Sequence, residues 1–143
     1  DVAVIEMMAT FVLMDRDSRK VHAVESKIVA PYEAEFSKKL IRGPKYPELK
    51  DSTSKDYHVR FYDLDMNGHV NNSKYLDWIF EVMGADFLMK HVPKKVHLKY
   101  VKEVRPGGQI TSSYDLNGLE SNHQISSDGD TNAQAMVTWQ EIS

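Results

Sequence analysis

Residues 57–83, YHVRFYDLDMNGHVNNSKYLDWIFEVM, change period halfway along, and that change decides the fold. Tyr57, Val59 and Phe61 alternate with His58, Arg60 and Tyr62, the period of a strand with one buried face. From Tyr75 onward, Leu76, Ile79, Val82, Met83 and Phe87 recur at three and four, the stripe of a helix that buries one side. Asn71, Asn72 and Ser73 are residue types that cap a helix start, and Pro93 lies beyond the expected end. Between the two periods, Tyr62 to Asn72 hold two carboxylates, one imidazole, three carboxamides and a glycine.

Strands follow the helix. Val96, Leu98 and Tyr100 alternate with polar neighbours before a turn at Pro106-Gly107-Gly108. Ile110, Ser112, Tyr114 and Leu116 come next, Asn117-Gly118 signals a tight hairpin, and Leu119, Ser121, His123 and Ile125 continue at period two. After Asp128-Gly129, Ala133, Ala135, Val137 and Trp139 form the last strand. From Lys94 on, the chain therefore reads as a meander of four antiparallel strands, each with one apolar face for the helix to cover.

The first part of the chain fits this plan less directly. Residues 2–14 read as a strand apolar on both faces, with Ile5, Met7, Phe11 and Leu13 opposite Val4, Met8 and Val12. Asp15-Arg16-Asp17-Ser18 turns the chain, and the polar run from Glu33 to Lys55, with Gly43-Pro44 and Pro47, reads as a linker. Ala9–Asp15 echoes Ala135–Glu141: an alanine, a large apolar residue four later and an acid two beyond. The echo suggests that residues 2–14 close an earlier copy of the same domain.

Composition narrows the chemistry. With 41% hydrophobic and 27% charged residues, the 143-residue chain is an ordinary globular sequence, and a net charge of −3 offers no footprint for nucleic acid. No apolar run is long enough to span a bilayer, and the start lacks the basic region and cleavage site of a secretory signal, so a soluble compartment is expected. The absence of cysteine excludes disulfides, thiolate metal sites and a thiol nucleophile. His58, His91, His97 and His123 show no metal-ligand spacing, so neither metal nor cofactor is expected.

Asp65, Asn67 and His69 are spaced by two, and an extended backbone would project them to one side. The free amides of the following helix start would offer partial positive charge to a developing oxyanion. Read as chemistry, this is a hydrolytic set. Read as structure, the same residues make a well-capped strand-to-helix junction, with Asn71 and Asn72 as caps.

The segment VRFYDLDMNGHVNNSKYLDWIFEVM resembles the strand-to-helix motif of the C-terminal hot-dog repeat in acyl-[acyl carrier protein] thioesterases, and ATFVLMDRDSRKVHAV is similar to the end of that family's first repeat. The resemblance implies an α+β hot-dog fold, a long helix wrapped by a curved antiparallel sheet. It divides the chain into residues 1–30, closing strands of a mostly absent N-terminal repeat; 31–55, a linker; and 56–143, the C-terminal hot-dog domain. It implies hydrolysis of a fatty acyl thioester on acyl carrier protein, with Asp65, Asn67, His69 and Glu103 as the catalytic set. Plant members of the family often carry cysteine after that glutamate; here it is Val104.

The same resemblance points to the amides around Val70 and Asn71 at the thioester oxygen, with Trp78, Ile79, Val82 and Tyr114 as candidate liners of an acyl channel and plain core packing as the alternative for each. Lys94, Lys95, Lys99, Lys102 and Arg105 become candidate docking charges for acidic carrier protein, with a solvated strand face as the alternative. Pairing with a second hot-dog repeat or as a homodimer is expected, in the cytoplasm of a bacterium or the plastid of a plant. Competing readings are a hot-dog acyl-CoA thioesterase using Asp65 alone, and a non-catalytic binding or assembly module.

Overall fold

The computed structural model describes residues 4–15, 17–18, 20–32 and 43–142, and the chain divides into two compact units, Asp1–Gly43 and Pro44–Ser143. Residues 2, 3 and 16, and residues 33–42 of the expected linker, lie outside the described residues.

In the first unit, strand β1 (Leu13–Met14) pairs antiparallel with β2 (Val21–His22), followed by a short helix α1 (Ser26–Val29) and a 3-10 turn over Ala30–Tyr32. The Asp15 carboxylate accepts hydrogen bonds from the Ser18 amide at 2.7 Å and hydroxyl at 2.6 Å, which closes the turn. Among the described residues, the strand expected over residues 2–14 is realised only at Leu13–Met14. Strands exist by pairing, and residues 4–10 adopt no regular structure, with Val4, Ile5, Met7 and Phe11 exposed.

The second unit is a five-stranded antiparallel sheet with a helix on one face. Its strands are β3 (Thr53–His58), β4 (His91–Tyr100), β5 (Gln109–Asn117), β6 (Glu120–Ser127) and β7 (Asp130–Glu141), in spatial order β3-β5-β6-β7-β4. Strand β3 begins at Thr53, inside the run read as linker, and gives way after His58 to a 3-10 turn over Phe61–Asp63. Only β5, β6 and β7 form a meander. The register Asn117↔Glu120 puts Gly118 and Leu119 at the first hairpin tip, and Ser127↔Asp130 puts Asp128 and Gly129 at the second. Asp128 (φ 52°) and Gly129 (φ 80°) both adopt the left-handed backbone that a two-residue primed turn requires.

Strand β4 departs from the expected meander by pairing with β7 at the far edge. The Val101–Gly108 connection must then cross roughly three strand spacings, about 14 Å, to reach β5. Pro93 lies within β4, beside the register shift between Pro93 and Lys95, where an edge strand tolerates a missing N–H.

Helix α2 (Asn72–Glu81) lies against β5 and β6 and buries Tyr75, Trp78 and Ile79, followed by Val82 and Met83. The Ser112 hydroxyl donates to the Trp78 carbonyl at 3.0 Å, fixing the helix to the sheet centre. Full burial of a side chain such as Ile79 stabilises the fold by about 1.5–3 kcal/mol. The apolar stripe runs on to Phe87, but the helix does not. Gly84, at φ 84°, breaks it, and a separate turn, α3 (Ala85–Leu88), brings Phe87 edge-on to Trp139 at 5.0 Å. Among the described residues no helix is long and apolar enough to cross a membrane.

Candidate active site

The polar junction is built on a buried carboxylate that periodicity did not single out. Asp63 is 1% exposed and accepts from the Arg60 amide at 2.7 Å and from Nη2 of its guanidinium at 3.2 Å. Burial pushes its carboxyl up, but the Arg60 side chain and amide outweigh that and hold it below the usual range. The Asp63 carbonyl also accepts the Asn71 amide at 2.8 Å, so the end of the 3-10 turn is tied to the start of α2.

Between these ties the chain makes a tight reversal. Leu64 and Val70 bridge antiparallel, the Asp65 amide donates to the His69 carbonyl at 2.7 Å, and Gly68 turns at φ 75°. One oxygen of the Asp65 carboxylate, Oδ1, accepts the Asn67 amide at 2.8 Å and the His69 amide at 3.1 Å. The His69 amide is the main cause that holds this carboxyl below its ordinary value, outweighing burial, with further support from Asn67 and from the His69 side chain. Asp65 is thus both the organiser of the turn and an anion at neutral pH.

Asp65 and His69 line a pocket of about 310 Å³ together with Val70, Asn71, Asn72, Tyr75 and Glu103. His69 Nδ1 lies 3.8 Å from Glu103 Oε1, with both side chains more than half exposed. Three of the four expected catalytic residues therefore meet at one space at the start of α2. Asn67 does not line it; its amide serves the Asp65 turn.

The expected binding residues divide. Val70 and Asn71 border the pocket, but the Asn71 carboxamide oxygen caps α2 by accepting the Ser73 amide at 3.0 Å. Its N–H is committed to Asp63, whereas the Val70 N–H has no backbone partner among the described residues. Trp78 is 4% exposed and packs edge-on to Tyr75 at 5.6 Å within the core, alongside the buried Ile79 and Val82 and the half-buried Tyr114. The candidate docking residues Lys94, Lys95, Lys99, Lys102 and Arg105 are all exposed, and Lys102 is paired with Asp130.

Two residues with a direct hold on this site carried no sequence signal of function. The Tyr75 hydroxyl accepts the Val104 amide at 3.2 Å, and its ring lies edge-on to Tyr100 at 5.2 Å. Asn132, on β7, places its side-chain amide 3.3 Å from the Lys102 carbonyl and 3.4 Å from that of Glu103. Tyr75 read as part of the helix stripe, and Asn132 stood off the apolar alternation of β7, the one available hint. A broader depression of about 600 Å³ at His58, Gly107 and the Asp128–Gly129 hairpin holds none of the expected residues.

Comparison with known proteins now bears on this geometry. Residues 46–141 match the model of the acyl-ACP thioesterase C-terminal domain, and residues 1–32 match that of the acyl-ACP thioesterase N-terminal domain. The chain is 23% identical over 141 residues to a chloroplastic palmitoyl-acyl carrier protein thioesterase of Arabidopsis thaliana, covering 93% of this chain and 34% of that protein. It is 34% identical over 82 residues to a chloroplastic dodecanoyl-[acyl-carrier-protein] hydrolase of Umbellularia californica, covering 54% of this chain and 21% of the relative.

A crystal structure described as an oleoyl thioesterase from Lactobacillus plantarum superposes with a TM-score of 0.81 at 30% identity, covering 91% of this chain and 54% of that one. The 12:0-ACP thioesterase from Umbellularia californica gives 0.73 at 21% identity, covering 90% and 53%, which supports the same hot-dog fold. The chain thus spans about half the length of these solved structures and about a third or a fifth of those curated relatives. With its C-terminal domain model matched over residues 46–141, the chain belongs to the acyl-ACP thioesterase family.

Proposed function

We propose that this chain carries the catalytic repeat of a thioesterase that hydrolyses fatty acyl-[acyl carrier protein] to a free fatty acid and carrier protein. The observation that carries the reading is the shared pocket of Asp65, His69 and Glu103 at the start of α2. Water attacks the thioester carbonyl carbon, Glu103 takes its proton, and the Val70 N–H donates to the carbonyl oxygen as charge develops there. The tetrahedral intermediate then collapses, the C–S bond breaks, and the carrier's sulfur leaves with the proton that Glu103 had taken, delivered through His69. His69 lies between Glu103 and the leaving sulfur, and the Asp65 carboxylate holds the turn that carries it by accepting the His69 amide. The 3.8 Å between His69 and Glu103 leaves a closer approach to be made when substrate binds.

Residues 1–30 are read as the end of a first hot-dog repeat, 31–55 as the linker and 56–143 as the second repeat. The matched N-terminal domain model over 1–32 supports that division, and exposed apolar residues on and after β4 (Val92, Val96, Tyr100 and Val101) suit pairing with a companion repeat or second copy. The bacterial cytoplasm is the proposed compartment, on the similarity to the Lactobacillus structure.

The test is hydrolysis by the full-length protein of matched acyl-carrier and acyl-CoA thioesters. Preferential turnover of the carrier-linked substrate is expected, with activity falling steeply as salt rises if exposed lysines dock the acidic carrier. Preferential turnover of acyl-CoA would place the protein with the acyl-CoA thioesterases. Intact thioester after long incubation with folded protein would make it a binding module.

A further inference from the structure

Glu103 lies in the connection between β4 and β5, a segment without regular structure, and yet its carboxylate must face His69. Irregular connections on a surface are ordinarily the least constrained part of a fold, so something outside the segment has to fix it. Two residues do so from opposite sides.

The first grip comes from β7. The ladder between β6 and β7 runs Ile125↔Ala133 and then Ser126↔Thr131, so Asn132 is the extra residue of a bulge. Freed from the β6 register, Asn132 turns to the departing end of β4. Its carbonyl accepts the Val101 amide at 2.8 Å and the Lys102 amide at 3.1 Å, and its side-chain amide reaches the Lys102 and Glu103 carbonyls. The remaining polar atom, Oδ1, accepts the Ser127 hydroxyl at 2.8 Å, which fixes the orientation of the carboxamide. At 1% exposure, Asn132 makes these bonds with little competition from water.

The second grip comes from α2. The Tyr75 hydroxyl accepts the amide of Val104, the residue after Glu103, and Val104 itself is buried. Tyr75 is seated by Trp78 and Tyr100, and the Tyr100 hydroxyl donates to the Asn72 carbonyl at 3.0 Å, so the end of β4 is bound to the first turn of the helix. The helix that carries the pocket's floor therefore also holds the chain next to its acid.

We propose that Asn132 and Tyr75 are positioning residues that together fix Glu103 against His69. The bulge in β7 is the device that turns a structural strand into a support for the reacting group. This inference rests on the reading of Glu103 as catalytic, and the experiment separates the two. Glu103→Gln, Tyr75→Phe, Asn132→Ala and each double variant with Glu103→Gln are assayed for kcat and KM on acyl-carrier substrate in the full-length protein.

Tyr75→Phe keeps the ring and its packing while losing the acceptor for Val104. It is expected to lower kcat on the order of 10- to 100-fold with KM nearly unchanged, the cost of a displaced catalytic group. Asn132→Ala is expected to do the same. In the Glu103→Gln background neither change should lower kcat further, because there is no longer a carboxylate to position. Wild-type kcat in Tyr75→Phe and Asn132→Ala beside a crippled Glu103→Gln overturns the positioning role and leaves Glu103 catalytic. Losses that multiply in the double variants overturn it too. Wild-type turnover in Glu103→Gln removes the catalytic reading and this inference with it. Should Asn132→Ala not fold, Tyr75→Phe and its double variant decide alone.

Discussion

His69 Nδ1 and Glu103 Oε1 stand 3.8 Å apart although one residue belongs to the turn before α2 and the other to the crossing between β4 and β5. That proximity comes from β4 lying at the sheet edge opposite β3, so that the chain leaving β4 passes the start of the helix on its way back to β5. Every catalytic expectation here depends on it.

Asp65 has two separable roles. Asp65→Asn retains an oxygen for the Asn67 and His69 amides, so the turn and the unfolding midpoint should be close to wild type. The anion beside His69 is lost, and kcat should fall by at least about 10²-fold, within the range assigned to a positioned acid–base group. Asp65→Ala should lose the turn as well and lower the unfolding midpoint. Parallel kinetics and urea unfolding check both; near-wild-type turnover in Asp65→Asn would refute a chemical role.

His123 makes stability depend on pH. Its Nε2 is 2.7 Å from the Ser121 hydroxyl, which also accepts from the Trp139 indole at 2.7 Å, while Nδ1 is buried with no partner among the described residues. Burial pushes the imidazole down from 6.5 to about 4, only partly opposed by Asp115. The unfolded chain therefore takes up the proton first, and stability falls with falling pH between about 6.5 and 4. At about 1.4 kcal/mol for each pH unit of difference, the full loss is about 3 kcal/mol. Unfolding free energies measured at pH 7, 5.5 and 4 should show this slope, and His123→Gln should flatten it.

Asp63 adds a separate loss at lower pH. Because Arg60 holds its folded carboxyl below the unfolded value, its stabilisation is present above pH 3.8 and is lost as pH falls further. Asp63→Ala removes the acceptor for the Arg60 amide and should lower stability by about 1–3 kcal/mol at pH 7. Denaturant titration of the variant at pH 7 and pH 3 would reveal the difference, since its deficit should shrink at the lower pH.

Gly84 ends α2 with a positive φ, and nothing stands within 4 Å of where a Cβ would be. With φ 84° and ψ 155°, a conformation essentially confined to glycine, the cost of Gly84→Ala is backbone strain alone, about 1–3 kcal/mol. An unfolding midpoint equal to wild type would show that α2 and α3 can be joined without the left-handed residue.

The local elements were legible in the sequence because their causes are local. The period of two over Ile110–Leu116 and Ala133–Trp139, the period of three and four from Tyr75, and Asp128-Gly129 at a hairpin tip follow from which face meets the core and which residues tolerate positive φ. Within the polar stretch, the spacing by two was read on an extended backbone, whereas the chain reverses at Gly68, so Asp65 and His69 meet across a turn and Asn67 stays off the pocket. The end of the helix was less legible: an apolar stripe continuing to Phe87 looks the same whether or not Gly84 interrupts the backbone.

What residue order could not decide was which distant segments meet. Periodicity says that a strand has a buried face, but not which neighbour it pairs with, and β4 reads equally well beside β5 or beside β7. The choice of β7 brings Glu103 to His69 and lets an asparagine displaced by a bulge hold a chain segment roughly thirty residues away. Those contacts are satisfied only after the sheet closes, when buried amides and carbonyls must find partners wherever the fold supplies them. The chemistry of the site was present in its residues; its assembly belongs to the strand order.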